Sequence, residues 1–145
     1  MRSLSRTELR ENIFKITFSS WFHDDSEIEG NINKYFDNLT GDNDEKIELS
    51  EDDMAYISEK ARKVVEKADE IDRLIDNASK GWSVTRIGKA ELAILRLAVY
   101  EMFYDDDIPT NVAINEAIEL TKRYGEVSAP AFVNGILASI NQTRE

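Results

Sequence analysis

Apolar residues recur along most of the chain at intervals of three and four positions, which is the spacing of one face of an α-helix. No segment shows the strict alternation of a half-buried strand convincingly. The pattern predicts helices over residues 5–22, 26–39, 50–79, 88–104, 109–125 and 128–140. Because 50–79 is a long span, we expect it to be kinked or broken in two. We therefore predict an all-α fold of about seven helices in two packed helical bundles, with sub-bundles about 1–80 and 81–145.

Short polar motifs predict where several of these helices begin and end. Ser5 and Glu8 have the spacing of a capping box, in which each side chain binds the other residue's backbone N–H. Ser50 precedes three acidic residues, which suit the positive end of a helix. Gly125 is expected to end a helix in a left-handed cap. Gly135, inside the last predicted helix, is expected to let another helix approach closely.

The segment 88–104 is apolar on nearly every side, which is typical of a central buried helix. Its two charged residues, Arg96 and Glu101, are expected to be satisfied there by an ion pair or by hydrogen bonds. The last helix has a narrower apolar stripe formed by Phe132, Val133, Ile136, Leu137 and Ile140.

The 145 residues carry a formal net charge of -11, and the acid is concentrated in the middle of the chain. Residues 1–22 have four basic and two acidic side chains, whereas residues 23–76 have seven basic and eighteen acidic ones. A nucleic acid would be repelled by most of this surface and attracted only locally. No apolar run approaches the ~20 residues of a membrane span. We expect a soluble cytoplasmic protein that does not bind membranes.

Little in the sequence indicates catalysis or metal binding. Without cysteine there is no thiolate ligand or thiol nucleophile, and the single histidine, His23, is an unpromising catalyst. Phosphate-binding glycine loops, zinc helices and nucleophile elbows are missing from the sequence. The acidic segment around Asp42 fails as a calcium loop because its sixth position is Ile47 rather than glycine. We expect no enzyme activity, metal or cofactor.

Basic residues near the start of the chain stand out against this acidic background. Arg6 and Arg10 are 40° apart on a helical wheel and align with Ile13 and Thr17 of the buried face. In one interpretation, the arginines lay their stems along the core edge and pair with acids. In the other, they present guanidinium groups to an anion such as RNA phosphate, with Arg2 on a flexible arm. The pattern alone leaves both open.

Three strings in the second half carry a resemblance to a known family. They are ILRLAVYE at 94–101, IPTNVAINEAIEL at 108–120 and FVNGIL at 132–137. With the arginine-bearing first segment, they make the chain resemble the NusB family of bacterial transcription antitermination factors. The resemblance covers the chain in order and length, although 23–80 matches only in its helical pattern. It implies the same all-α fold.

The resemblance also implies a function. NusB-like proteins are noncatalytic adaptors that bind boxA-type single-stranded RNA together with the small-subunit ribosomal protein NusE. They act in the transcription elongation complex and promote read-through by RNA polymerase, notably in ribosomal RNA operons. Such proteins are monomers or homodimers. The matching RNA-binding residues here are Arg6 and Arg10, with Arg2 as a looser match, and Phe132; Glu91 and Ser128 match partner-binding positions.

Several alternatives stay open at this point. This chain has fewer basic residues at its start than many relatives, and it has Glu8 and Glu11 among them. Phe132 also fits the buried stripe, and Ser128 also fits a helix cap. The chain could therefore be a helical protein-interaction module without RNA binding of its own. A NusB-like domain related to ribosomal RNA methyltransferases is a third possibility, although the cysteine nucleophile is missing.

Overall fold

The computed structural model describes residues 4–20, 27–40, 49–79 and 86–144. These ranges hold seven helices and no strand, so the predicted all-α fold is confirmed. The helices are α1 (Arg6–Ser20), α2 (Ile28–Thr40), α3 (Glu51–Glu66), α4 (Ala68–Ala78), α5 (Lys89–Tyr104), α6 (Thr110–Tyr124) and α7 (Ala129–Thr143). Among the described residues, none of these helices has the length and apolar character needed to cross a membrane.

The chain divides into two units, Met1–Glu66 and Lys67–Glu145. The long helical span predicted for 50–79 is broken in two at Lys67, which separates α3 from α4. α4 belongs to the second unit because it packs against α5 and α7. The division between the units therefore precedes α4, whereas the sequence placed the division of sub-bundles after it.

In the first unit, α1 packs against both α2 and α3. The predicted capping box at the start of α1 is present. The Ser5 N–H donates to Glu8 Oε1 and the Glu8 N–H donates to Ser5 Oγ, both at 3.1 Å. Ser50 Oγ accepts from the Asp53 N–H at 3.1 Å and so caps the start of α3. Among the residues of this unit that the structure describes, the buried apolar side chains are Ile13, Phe14, Ile16, Ile32, Leu49, Ile57, Ala61 and Val64.

The second unit is built around α5, which contacts α4, α6 and α7. Most of its side chains are buried, as its apolar composition predicts. Arg96 makes the expected ion pair: its Nε and Nη2 donate to the two carboxylate oxygens of Asp72 on α4 at 2.8 and 2.7 Å. Glu101 is buried as well, with an exposed fraction of 1%.

Two glycine predictions were wrong. Gly125 follows α6 with φ -99° and ψ 176°, which is extended rather than left-handed backbone. Its small size is needed for close packing, because an added Cβ would lie 2.9 Å from both the Thr121 carbonyl oxygen and the Ala129 Cβ. Gly135 on α7 shows the opposite: an added Cβ there would meet no atom of the described residues within 4 Å, so none of the seven described helices packs closely against it.

Candidate nucleic-acid interface

The first candidate surface is the start of α1. Arg6 is exposed, whereas Arg10, one helical turn later, is buried with an exposed fraction of 4%. Thr17 of the same stripe is also buried. Each of the two sequence interpretations therefore fits one residue: Arg6 faces solvent, and Arg10 lies along the core edge. Arg2 falls outside the described residues.

Two carboxylates are bonded to the residues that precede Arg6. Glu8 is held in the capping box, and the Leu4 N–H donates to Asp53 Oδ2 at 3.0 Å. This bond ties the beginning of the described chain to the first turn of α3, where Glu51 and Asp52 are exposed. Nearby carboxylates reduce the positive potential around a guanidinium group. The acid of this unit therefore weakens the attraction of an anion to the start of α1.

The second candidate surface is a cleft in the second unit, with a volume of about 850 Å³. We call it the α5–α7 cleft. It is formed by the residues leading into α5, the first turn of α5, the loop between α6 and α7, and the first turn of α7. Its lining residues are Arg86, Ile87, Gly88, Lys89, Ala90, Glu91, Tyr124, Gly125, Glu126, Ser128, Ala129 and Phe132.

Aromatic and cationic side chains meet in this cleft. Phe132 is half-buried and Tyr124 has an exposed fraction of 37%, so an aromatic surface of each is open to a ligand. Arg86 and Lys89 are exposed. Aromatic rings stack on nucleobases in a sequence-tolerant way, and basic groups beside them contact phosphate. The α5–α7 cleft thus has the two chemical features that single-stranded nucleic acid requires.

Glu91 lies on the inner side of the cleft, with an exposed fraction of 8%. Its Oε1 accepts a hydrogen bond from the Glu126 N–H at 3.1 Å, which connects α5 to the loop between α6 and α7. A Cβ added to Gly88 would clash with Glu91 Oε2, and one added to Gly125 would lie 3.2 Å from Oε1. The carboxylate is therefore packed between two glycines.

Ser128 is exposed in the loop that precedes α7. It occupies the N-cap position, but its backbone is in the right-handed helical region, with φ -85° and ψ -7°. Its side chain makes no capping hydrogen bond to the described residues of α7. The hydroxyl of Ser128 is consequently available at the cleft rather than committed to the helix end.

The structure thus brings Glu91 into one cleft with Ser128 and Phe132, which lie far from it in the sequence. Sequence reasoning missed Arg86, Lys89 and Tyr124. The sequence did carry a signal for Lys89. This lysine is the first residue of α5, where a cation is unfavourable because the N-terminal end of a helix is positive, and an unfavourable placement of this kind can indicate a functional role. Tyr124 lies one turn after the buried Leu120, and its position at the last residue of α6 exposes it.

Comparisons with known proteins show which family this chain is similar to. A sequence model described as the NusB family matches residues 7–142. The transcription antitermination protein NusB of Agathobacter rectalis is 47% identical over 135 residues, which is 93% of this chain and 98% of the relative.

Solved structures have the same fold. A crystal form of T. maritima NusB superimposes with a TM-score of 0.83 at 31% identity, covering 97% of this chain and 93% of that one. A chain from a crystal structure of the antitermination factors NusB and NusE in complex with dsRNA has a TM-score of 0.77 at 21% identity. It covers 95% of this chain and 96% of its own, and at that identity the likeness concerns the fold alone.

Proposed function

This chain belongs to the NusB family, and on that premise we propose that it is a noncatalytic transcription antitermination factor. It binds boxA-type single-stranded RNA together with the ribosomal protein NusE, within the transcription elongation complex. The bound assembly promotes read-through by RNA polymerase, notably in ribosomal RNA operons. Its site of action is the bacterial cytoplasm, where it acts as a monomer or homodimer.

The observation that carries this proposal is the α5–α7 cleft. Phe132 and Tyr124 provide aromatic surfaces for nucleobases, and Arg86 and Lys89 provide cations for the phosphates between them. Two carboxylates of the lining, Glu91 and Glu126, balance these two cations. A cleft with no net charge gains little from phosphate attraction alone, so stacking and hydrogen bonding to bases contribute much of its affinity.

We assign phosphate contact at the first surface to Arg6 and to Arg2, which lies outside the described residues. Arg10 supports this surface from inside, because its buried guanidinium group is part of the packing of α1. A sparse basic surface of this kind binds RNA weakly by itself. NusE therefore supplies much of the affinity of the complex.

The acidic character of the chain supports NusE as its partner. The net charge is -11, and ribosomal proteins that bind RNA are generally basic. Opposite charges accelerate the encounter of two proteins, and the acceleration declines as salt increases. If the association rate of this chain with NusE were unchanged across a tenfold range of salt, the electrostatic part of the proposal would be wrong.

Fluorescence anisotropy of labelled boxA-type RNA across a salt series, with and without NusE, tests the RNA-binding proposal. Arg6→Ala should lower the slope of log affinity against log salt by about 0.7, since one phosphate contact to a single strand is lost. Arg10→Ala should leave that slope unchanged. Lys15→Ala is the matched control, because it removes an exposed cation that is paired with Glu11 at 3.5 Å on the same helix.

A second candidate function is a protein-interaction module without RNA binding of its own. The burial of Arg10 favours it, because one of the two family-matching arginines is committed to packing. The same experiment separates the two functions. If wild-type protein with NusE binds boxA-type RNA no better than NusE alone, the interaction module is the correct description.

A further inference from the structure

We propose that Glu91 is a positioning residue of the α5–α7 cleft. Its carboxylate holds the loop 125–128 against the first turn of α5, and this fixes Ser128 and the start of α7 before any ligand arrives. The RNA-binding part of this inference rests on the proposed function. The loop-fixing part concerns the free protein and can be measured without RNA.

The contacts of Glu91 point inward. Its side chain belongs to the first turn of α5, and its Oε1 reaches the Glu126 N–H, 35 residues later in the chain. Only 8% of the residue is exposed, so little of it is accessible to a partner protein or to RNA. A carboxylate that accepts a backbone N–H in a partly buried position makes a stronger hydrogen bond than a neutral acceptor does.

The Glu91 carboxylate is closely packed against two glycines. Gly88 precedes α5 and Gly125 follows α6, and a side chain at either position would lie 3.2 Å or less from a carboxylate oxygen of Glu91. The two glycines thus make room for the carboxylate between the segments that they join. Close packing against the two glycines therefore holds the loop in place together with the hydrogen bond to the Glu126 N–H.

The loop 125–128 needs this support because its own side chains supply little. Val127 is fully exposed, with a relative exposure of 101%, and Ser128 does not cap α7 with its hydroxyl within the described residues. The backbone N–H of Ala129 donates to the Glu126 carbonyl at 2.9 Å, so the peptide that Glu91 holds also begins the turn into α7. Fixing Glu126 therefore fixes the direction in which α7 and Phe132 leave the loop.

This arrangement would affect binding by pre-organisation. A loop that is ordered before the ligand arrives does not lose its conformational entropy on binding, so affinity is retained. Loss of the contact should act mainly on the dissociation rate of RNA, as most changes at an existing interface do. Glu91 then acts through the loop rather than by touching the ligand.

Hydrogen exchange of the free protein tests the loop-fixing role. In Glu91→Ala, the Glu126 amide should exchange about tenfold faster than in wild type, because its charged acceptor is lost. Glu91→Gln keeps a side-chain oxygen and the shape, and it should restore most of the protection. Glu119→Gln, an exposed charge on α6 outside the cleft, is the matched control and should leave that exchange unchanged.

RNA dissociation in the presence of NusE supplies the second readout. Glu91→Ala should release boxA-type RNA roughly three- to tenfold faster, and Glu91→Gln should stay close to wild type. The proposal is overturned if the Glu126 amide exchanges at the wild-type rate in Glu91→Ala. It is also overturned if Glu91→Gln keeps the protection of the Glu126 amide and still releases RNA as fast as Glu91→Ala, because Glu91 would then affect binding by a route other than the loop. No RNA binding by wild type would refute the proposed function instead, and the exchange result would still decide the role of Glu91.

Discussion

Replacing Gly125 by alanine should destabilise the protein by about 1–2 kcal/mol, and the structure gives the reason. The new Cβ would lie 2.9 Å from the Ala129 Cβ, whereas carbon atoms pack best at about 3.5–4.0 Å. It would also lie 2.9 Å from the Thr121 carbonyl oxygen, which is part of the backbone of α6 and cannot rotate away. Overpacking of this kind costs about 1–3 kcal/mol. The loss of unfolded-state entropy offsets about 0.4–1 kcal/mol of that cost.

Gly135→Ala is the matched control for this prediction. It makes the same chemical change on α7, but within the described part of the chain the added Cβ would meet no atom within 4 Å. Alanine is a better helix former than glycine, so this variant should be more stable than wild type by about 0.5–1 kcal/mol.

Thermal unfolding followed by circular dichroism measures both variants. Gly125→Ala should melt a few degrees below wild type and Gly135→Ala a few degrees above it. The two substitutions should therefore have opposite signs. If Gly125→Ala raised the melting temperature as much as Gly135→Ala, the loop 125–128 would not be packed as tightly as described, and the account of Glu91 would lose its geometric basis.

Three further predictions concern contacts away from the cleft. Ser5→Ala should lower the free energy of unfolding by about 1 kcal/mol in urea titrations, because the capping box is lost. An unchanged free energy of unfolding would show that the capping box does not stabilise α1. Arg96→Lys should lower the free energy of unfolding by about 1–2 kcal/mol in the same assay, because lysine cannot bond both Asp72 oxygens. Equal stability of the two proteins would show that the paired hydrogen bonds to Asp72 do not stabilise the fold. The hydrogen bond from Tyr104 to Glu70 raises the pKa of the Tyr104 hydroxyl. Glu70→Gln should therefore lower that pKa in a spectrophotometric titration of the folded protein, and an unchanged titration curve would refute the contact.

The helices could largely be predicted from the sequence because their apolar spacing is regular and their starts carry local signals. Ser5 with Glu8, and Ser50 ahead of Asp53, are examples of signals that act over three residues. The pairing of Arg96 could be anticipated in kind, since a charge on an apolar helix must be satisfied. Its partner, Asp72, could not be identified, because it lies on another helix and many acids were available.

The details that escaped prediction depend on contacts between distant segments. Gly125 looks like a left-handed cap when only its own helix is considered, and its packing against Glu91 and Ala129 decides otherwise. A helical wheel places Arg6 and Arg10 on one stripe, but it could not show that only the Arg10 side chain is buried. The break at Lys67 has neither glycine nor proline to mark it.

Photochemical cross-linking of boxA-type RNA to the NusE-bound protein, followed by identification of the linked peptides, tests the central claim most directly. That claim is that the α5–α7 cleft receives the bases of the RNA. Cross-links should appear at Phe132 or Tyr124 and should decrease in Phe132→Ala, because stacked bases lie against aromatic rings. Cross-links confined to α2 and α3, with none in the cleft, would contradict the account.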